Sequence, residues 1–214
     1  MTRGTLVSTL AAALLAAVAF GGAPVSGQVG QGLLDINTAT AEQLAALPDM
    51  TPAAVKAITD GKPFLSIVDL HKALTGAGLT AGQTTAVYGK AFVHVNLNTG
   101  TGEEIVLIPG AGRRMAREFA EYRPWVNWAQ FDKEISKYVG MEETNRLKQY
   151  VFIPVNLNTA SDEDILSIPG AGRRMVREFK EYRPWTSKAQ FEKEIGKYVG
   201  AGEVARLWRY VVIQ

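Results

Sequence analysis

One long segment occurs twice in this 214-residue chain, and the duplication limits the folds available to it. Residues 95–153 and 155–213 align without a gap, sixty residues apart, and about two thirds of their positions are identical. A weaker copy covers residues 35–93. A repeat of this length is large for the unit of a solenoid and has the size of a very small domain. The sequence therefore predicts three small tandem repeats.

The N-terminal residues 1–27 have the pattern of a secretory signal peptide. Arg3 supplies a positive charge, residues 6–20 form a run rich in Ala and Leu, and small residues precede Gln28. The run is shorter than the ~20 apolar residues of a comfortable membrane span. An uncleaved N-terminal anchor is the alternative, and only then is the membrane a partner. Both interpretations predict that the rest of the chain is periplasmic or secreted.

The remaining residues divide into three predicted repeats, 28–93, 94–153 and 154–214. Each repeat begins with a capping box, in which a Ser or Thr caps a helix and a Glu, Asp or Gln follows three residues later. The boxes pair Thr40 with Gln43, Thr101 with Glu104, and Ser161 with Asp164. Short helices with apolar spacing follow, and no segment alternates like a strand for long. The predicted fold class is all-α, with four or five short helices per repeat.

An eleven-residue stretch inside the repeats carries the strongest functional signal. Residues 109–119 read PGAGRRMAREF, and residues 169–179 repeat this with one change. The proline ends what precedes it, and the glycines permit a tight turn with positive φ. A helix that begins after such a turn has unpaired N–H groups and the positive end of its dipole, which suit an anion. Two arginines at the N-terminus of a helix are unfavourable unless a negatively charged ligand binds beside them, so the stretch predicts a phosphate site.

Composition excludes several classes of site. There is no cysteine, so disulfides, zinc fingers and thiol catalysis are excluded. His71 and His94 do not share a motif and are predicted to be surface or boundary residues, and no metal or cofactor is predicted. The net charge of +2 does not by itself imply nucleic acid. Residues 28–93 contain no arginine, so a site for a polyanion is predicted only in the last two repeats.

The order of these motifs resembles the helix-hairpin-helix family. The resemblance is carried by NTATAEQL at residues 37–44 and by the two IPGAG turns at 108–112 and 168–172. The succession VNLNT, helix, IPGAG, helix is most similar to the ComEA-like periplasmic DNA receptors of bacterial competence. The resemblance covers residues 34–213 and implies three tandem helix-hairpin-helix (SAM-like) repeats of about sixty residues.

The resemblance implies binding of duplex DNA without sequence preference, through hairpin amides and arginines set against phosphates. The predicted function is thus an exported, non-catalytic DNA-binding protein with a role in DNA uptake. Double-stranded DNA is the predicted partner, and a protein partner stays open. The predicted DNA-binding residues are Gly110, Ala111, Gly112, Arg113, Arg114, Arg117, Gly170, Ala171, Gly172, Arg173, Arg174, Arg177, Gly200 and Gly202.

The repeats depart from the family pattern to different degrees. The first repeat lacks both glycines in its first hairpin, at residues 48–51, and has no arginine nearby. The second hairpin of the second repeat has its predicted turn at Gly140 and contains Glu142 and Glu143, which repel phosphate. The third repeat keeps both hairpins. The expected order of DNA binding is therefore the third repeat, then the second, then the first.

Two other classes of function compete with DNA binding. A structural or protein-interaction module is the main alternative, because the fold resembles an extrinsic lumenal subunit of photosystem II and the charge is nearly neutral. An enzyme related to DNA glycosylases needs a catalytic Asp and a pocket for a flipped base. A repeat of about sixty residues has no room for such a pocket, so no enzyme is predicted. The sequence does not indicate an oligomeric state.

Structural roles compete at individual residues as well. Arg114 and Glu118 stand four residues apart on a helix, which favours an exposed ion pair worth ~0.3–0.5 kcal/mol. Arg117 and Glu121 have the same spacing, whereas Arg113 has no such partner. The tryptophans at 125 and 185 are predicted to pack over the small core of each repeat.

Overall fold

The computed structural model describes residues 29, 30 and 32–214, and the predicted signal peptide at residues 1–27 lies outside the described residues. Within this part the chain forms eleven helices and six strands of two residues each. The predicted all-α class is confirmed only in its coarser form, because the chain is mostly helical but also contains short strands that were not predicted. Among the residues described, no helix is long and apolar enough to cross a membrane.

The elements follow the chain in three sets, which we name the first, second and third unit. The first unit contains β1 (Leu34–Asp35), α1 (Ala41–Ala45), α2 (Pro52–Gly61), α3 (Ile67–Gly76), α4 (Ala81–Tyr88) and β2 (Ala91–Phe92). The second unit contains β3 (Val95–Asn96), α5 (Gly102–Val106), α6 (Arg113–Glu121), α7 (Trp128–Lys148) and β4 (Val151–Phe152). The third unit contains β5 (Val155–Asn156), α8 (Asp162–Leu166), α9 (Arg173–Glu181), α10 (Lys188–Ile195), α11 (Ala201–Trp208) and β6 (Val211–Val212).

Each unit opens and closes with a short strand, and its two strands pair in parallel. Val95 lies opposite Val151 in the second unit, and Val155 lies opposite Val211 in the third. The pairing brings the first and last residues of each unit together. The paired valines of the third unit lie one repeat length after those of the second unit, so the two duplicated segments close in the same way.

Capping boxes begin the first helix of every unit, as predicted. Gln43 N donates to Thr40 Oγ1 at 3.3 Å, and Thr40 N donates to Gln43 Oε1 at 2.9 Å. Thr80 and Gln83 form a further box at α4 that the sequence analysis missed. Such a cap stabilises a helix by ~0.5–2 kcal/mol, because it satisfies donors that the helix itself leaves free.

The first hairpin turn of each unit contains one residue with positive φ. Gly110 has φ of 80° and Gly170 has φ of 77°, as the predicted tight turn requires. In the first unit, Asp49 takes the equivalent position with φ of 56°. Thr51 then caps α2 with its side chain, which accepts a hydrogen bond from Ala54 N. The first unit therefore forms the turn without the glycines.

The second hairpin of the second unit lies within α7. Gly140 has non-helical angles, φ 76° and ψ 168°, so α7 is two helices joined at a kink. The sequence analysis predicted a turn at this glycine between two helices, and the structure confirms it. The equivalent segments of the third unit are separate helices, α10 and α11.

One asparagine before each of the three capping boxes holds distant backbone in place. Asn98 Oδ1 accepts from Trp125 N at 2.6 Å, and Asn98 Nδ2 donates to Trp125 O at 2.9 Å. Asn37 bonds Phe64 and Asn158 bonds Trp185 in the same way. Each asparagine therefore fixes the chain between the two hairpins of its unit.

The buried apolar side chains of the described residues form two clusters. One cluster of buried apolar side chains spans the first two units, and another fills the third. Trp125 and Trp185 are each 1% exposed, so their predicted packing over the core is confirmed. Their Nε1 atoms donate to Phe119 O at 2.8 Å and Phe179 O at 2.7 Å, which satisfies the polar atom of each buried indole.

Candidate functional site

Helices α6 and α9 carry all six arginines of the predicted site. Both begin directly after a glycine, Gly112 or Gly172, that offers no side-chain cap. Met115 and Phe119 are buried on one side of α6, as are their counterparts on α9. The opposite side carries arginines that are all exposed, which form the arginine face of α6 (Arg113, Arg114 and Arg117) and the arginine face of α9 (Arg173, Arg174 and Arg177).

These six arginines differ from every other arginine that the structure describes. None of the six makes a hydrogen bond or ion pair within the described residues. The other five donate to oxygen atoms of the fold: Arg123 to Leu97 O, Arg146 to Pro109 O, Arg183 to Leu157 O, Arg206 to Glu203, and Arg209 to His94 O. The arginines are therefore of two kinds, one bound inside the fold and one free at the surface.

The ion pairs that were the alternative role of Arg114 and Arg117 do not form within the described residues. Among the salt bridges of the described residues, Arg114 is not paired with Glu118, nor Arg117 with Glu121. Arg114 lies over the ring of Tyr138 instead, 5.1 Å from its centre. A cation over an aromatic face gains ~0.5–1 kcal/mol at an exposed site, comparable with an exposed pair. Arg114 therefore contacts Tyr138, which is distant in sequence, and not Glu118, which is one helical turn away.

The same stack occurs in the third unit, where Arg174 lies 4.9 Å from the centre of the Tyr198 ring. Tyr138 and Tyr198 are each hydrogen-bonded through their hydroxyls, at 2.8 Å, to Tyr122 and Tyr182. The hydrogen bonds to Tyr122 and Glu118 raise the pKa of Tyr138 above its ordinary value. The rings are therefore neutral at physiological pH and form fixed supports for the two guanidinium groups.

Arg146 holds the first hairpin turn of the second unit, and Arg206 is the equivalent arginine of the third unit. Arg146 Nη2 donates to Pro109 O and to Glu143 Oε1, both at 2.6 Å. The hydrogen bond with Arg146 lowers the pKa of the Glu143 carboxyl. Arg206 is only 2% exposed and pairs with Glu203 at 2.7 Å. Glu143 and Glu203, which follow the second hairpins, thus form ion pairs with Arg146 and Arg206, whereas Glu142 is exposed.

The glycine turns contact neighbouring units. A Cβ at Gly170 would lie 3.1 Å from Thr38 Cγ2, and one at Gly202 would lie 3.0 Å from Pro63 Cδ. Both partners belong to the first unit. Ala111 is buried, and its N–H donates to Ile108 O at 2.9 Å, as Ala171 N does to Ile168 O at 3.0 Å. These predicted phosphate-binding residues therefore contribute to the contacts and turns of the fold, while Gly200 is the exposed N-cap of α11.

A groove of about 440 Å³ separates the first two units. Its walls are α4 and His71 on one side and the turn at residues 106–112 on the other. His71 Nδ1 lies 2.9 Å from Tyr88 Oη. Apart from this pair, the groove is lined by hydroxyl, apolar and backbone groups.

A buried polar junction joins the first, second and third units. His94 Nδ1 lies 3.2 Å from Asp35 Oδ2, and Tyr210 Oη donates to the same oxygen at 3.5 Å. Arg209 Nη2 donates to His94 O at 2.7 Å. We call Asp35, His94, Arg209 and Tyr210 the polar junction. Burial raises the pKa of Asp35, but the hydrogen bond and charge of His94 and the charge of Arg206 outweigh it, so the pKa is lowered.

The junction corrects the prediction for His94, which is fully buried and not a surface or boundary residue. The reason is its place between β2 and β3, where the first unit meets the second and the third unit folds back. Sequence reasoning missed the junction because its members lie up to 175 positions apart. The one local signal was an acid, Asp35, within an otherwise apolar segment before a turn. No group of three or more His, Asp or Glu that suits a metal ion occurs in the described residues.

The class that these observations define is a mostly helical protein with two arginine-rich helix faces. Residues 34–88 match the family model of type II secretion system (T2SS) protein K. The match begins at β1 and ends with α4, so it covers the helices of the first unit and about a quarter of the chain. No curated protein and no solved structure matches the chain.

The match overturns two predictions. The family found is a secretion-system family, so the resemblance to the helix-hairpin-helix and ComEA-like family was wrong as a recognition. The predicted DNA-binding function in competence is contradicted by the same finding. The physical reason is that a capping box, a Pro-Gly turn and a helix specify local geometry and not a ligand. The match is compatible with the predicted export of the chain.

Proposed function

We propose that this chain is an exported, non-catalytic component of a secretion apparatus and that it acts by binding other proteins. The single observation that carries the proposal is the match of residues 34–88 to protein K of the type II secretion system. The matched residues form a coherent structural piece, from the first strand to the last helix of a unit. A similarity that covers all the helices of one unit favours a shared binding module.

The architecture supports a role as a scaffold. In this proposal, residues 28–93, 94–153 and 154–214 are three tandem repeats, each built of two helical hairpins in the helix-hairpin-helix manner. Residues 1–27 direct export to the periplasm or beyond. The polar junction and the contacts of Gly170 and Gly202 with the first unit tie the repeats together. A chain tied in this way presents several surfaces in a fixed arrangement, which suits a part of a larger assembly.

The first unit differs from the others on its surface. A groove of about 680 Å³ lies between α1 and α2, with Ala45, Met50 and Val55 among its apolar walls. Two positions that carry Arg113 and Arg114 in the second unit are Pro52 and Ala53 here. The matched unit therefore offers an apolar surface where the other two offer positive charge, and this favours separate partners for the separate units.

Deletion of the gene in its host tests the proposal. The measured quantity is the fraction of exported enzymes that reaches the medium rather than accumulating in the cell envelope. We expect a loss of secretion that the full chain restores. A variant without residues 1–27 serves as control, because a chain retained in the cytoplasm should fail to restore it. Normal secretion by the deletion strain would contradict the proposal, as would tight, sequence-independent binding of the purified chain to duplex DNA at physiological salt.

A further inference from the structure

Two equivalent surfaces of this protein carry positive charge that the fold itself does not use. Six of the eleven described arginines have no hydrogen bond or ion pair within the described residues, and all six lie on α6 and α9. The remaining five are bound to carbonyl or carboxylate oxygens of the chain. A guanidinium group has five N–H donors and no acceptor, so six free groups are a large unmatched donor capacity.

On each of the two faces, one arginine is stacked on a tyrosine ring. Arg114 lies over Tyr138 and Arg174 over Tyr198, at 5.1 and 4.9 Å from the ring centres. Stacking restricts a long side chain before any ligand arrives, so less conformational freedom is lost on binding. Arg113 and Arg117 are one helical turn apart, as are Arg173 and Arg177, and such residues lie on the same side of a helix. Each face thus combines one restrained guanidinium with two free ones.

Carboxylate groups match this arrangement. Guanidinium and carboxylate form bidentate, charge-assisted hydrogen bonds that are directional and stronger than neutral ones. We infer that the arginine faces of α6 and α9 are twin docking sites for an acidic segment of a partner protein. The inference rests on the proposed function, because it names the partner class of the same scaffold.

The surroundings favour an acidic protein segment over a nucleic acid. Glu121 and Glu181 are exposed one turn beyond the arginines, and Glu142 is exposed on the second hairpin of the second unit. A phosphate backbone carries negative charge at every step and would be repelled by these carboxylates. A peptide of mixed sequence can place Glu or Asp against the arginines and Lys or a neutral residue beside the glutamates. Specificity then comes from both signs of charge.

Two charge-reversed variants of equal net charge test the inference. The face variant carries Arg113→Glu, Arg117→Glu, Arg173→Glu and Arg177→Glu. The control variant carries Lys72→Glu, Lys90→Glu, Lys133→Glu and Lys193→Glu, which are exposed lysines outside the arginine faces and outside the groove between α1 and α2. Circular dichroism and thermal melting establish that each variant folds. Binding is measured by fluorescence anisotropy with a labelled glutamate-rich peptide and, separately, with a labelled DNA duplex of equal charge.

We expect the face variant to bind the peptide about tenfold more weakly than the unaltered chain, because bidentate contacts are replaced by like charges. The control variant should stay within about twofold, since scattered surface charges contribute little. Arg→Lys replacements at the four face positions should weaken binding by an intermediate amount, because lysine keeps the charge but not the bidentate geometry. Equal losses in the face and control variants would overturn the inference, as would preference for the duplex over the peptide or no effect of the face variant.

The same variants in the deletion strain separate this inference from the proposed function. If the chain is needed for secretion, the control variant should restore it and the face variant should not. Full restoration by the face variant would overturn the docking sites and leave the secretion role intact. If the deletion strain secretes normally, the proposed function fails, and the peptide measurement alone decides whether the arginine faces bind acidic segments.

Discussion

Asp35 and His94 form a buried hydrogen-bonded pair, with 3.2 Å between Oδ2 and Nδ1, across 59 positions of the chain. Asp35 lies in the first strand, and His94 lies between the first and second units. Tyr210, near the end of the third unit, bonds the same carboxylate oxygen. One carboxylate therefore holds three parts of the chain that no local pattern brings together.

Replacing Asp35 by Asn should lower the free energy of unfolding by about 1–3 kcal/mol. The amide keeps the size of the carboxylate but removes its charge, and a side-chain NH₂ then faces buried donors. Urea unfolding followed by circular dichroism measures the change. Glu121→Gln is the matched control, because Glu121 is exposed on α6 and should change stability by less than about 0.5 kcal/mol. Equal effects of the two substitutions would count against a stabilising junction.

The stability that Asp35 contributes should depend on pH in one direction. Burial raises the pKa of the Asp35 carboxyl, but the hydrogen bond and charge of His94 and the charge of Arg206 outweigh burial, so the pKa is lowered in the folded protein. A carboxyl with a lowered folded pKa stabilises the fold above its unfolded pKa of about 3.9, and the contribution is lost as pH falls through the folded pKa. The difference in unfolding free energy between the unaltered chain and Asp35→Asn should therefore shrink below about pH 4. A difference that stays constant down to the acid limit of folding would contradict this.

Gly110→Ala should destabilise the protein by about 1–2 kcal/mol, because Gly110 has φ of 80° and a left-handed backbone is unfavourable for residues with a Cβ. The added Cβ would also lie 2.9 Å from Arg146 Nη2, which holds the turn. Gly82→Ala is the control. Gly82 lies in α4 with open space around it, so alanine there should be neutral or stabilise by up to about 1 kcal/mol. A neutral Gly110→Ala variant would show that the turn is not held as described.

Asn98→Ala should lower the free energy of unfolding by about 1–3 kcal/mol, since the backbone N–H and C=O of Trp125 would both lose their partner. Asn145→Ala, at an exposed position within α7, should be neutral or slightly stabilising. Thermal melting of the two variants measures the difference. Identical melting temperatures would refute the role of Asn98 as the link between the two hairpins of its unit.

Local patterns predicted the parts of this fold that depend on neighbours in sequence. The capping boxes, the positive φ of Gly110 and the kink at Gly140 each depend on a few adjacent residues, and each was predicted. The burial of Trp125 followed from its apolar surface and its place at a helix end. These features repeat along the chain, so each one supports the others.

The features that sequence reasoning missed depend on distant residues. Arg114 stacks on Tyr138 and does not pair with Glu118, although the latter lies one helical turn away. Arg146 binds the carbonyl of Pro109, 37 positions before it. His94 looks like any lone histidine until Asp35 and Arg209 are placed beside it. The function was misjudged for a different reason. The turn and its arginines indicate a positively charged surface, but they do not identify the ligand that binds it.

The most direct test of the central claim is photo-crosslinking in living cells from the matched unit. A photoreactive amino acid replaces Lys56, whose side chain is 76% exposed on α2 beside the apolar groove. The control position is Lys90, which is exposed outside that groove. We expect crosslinks from position 56, and not from position 90, to another component of the host's secretion apparatus, identified by mass spectrometry. Crosslinks only to proteins of DNA uptake, or no crosslink at all from position 56 in actively secreting cells, would contradict the assignment of this chain to secretion.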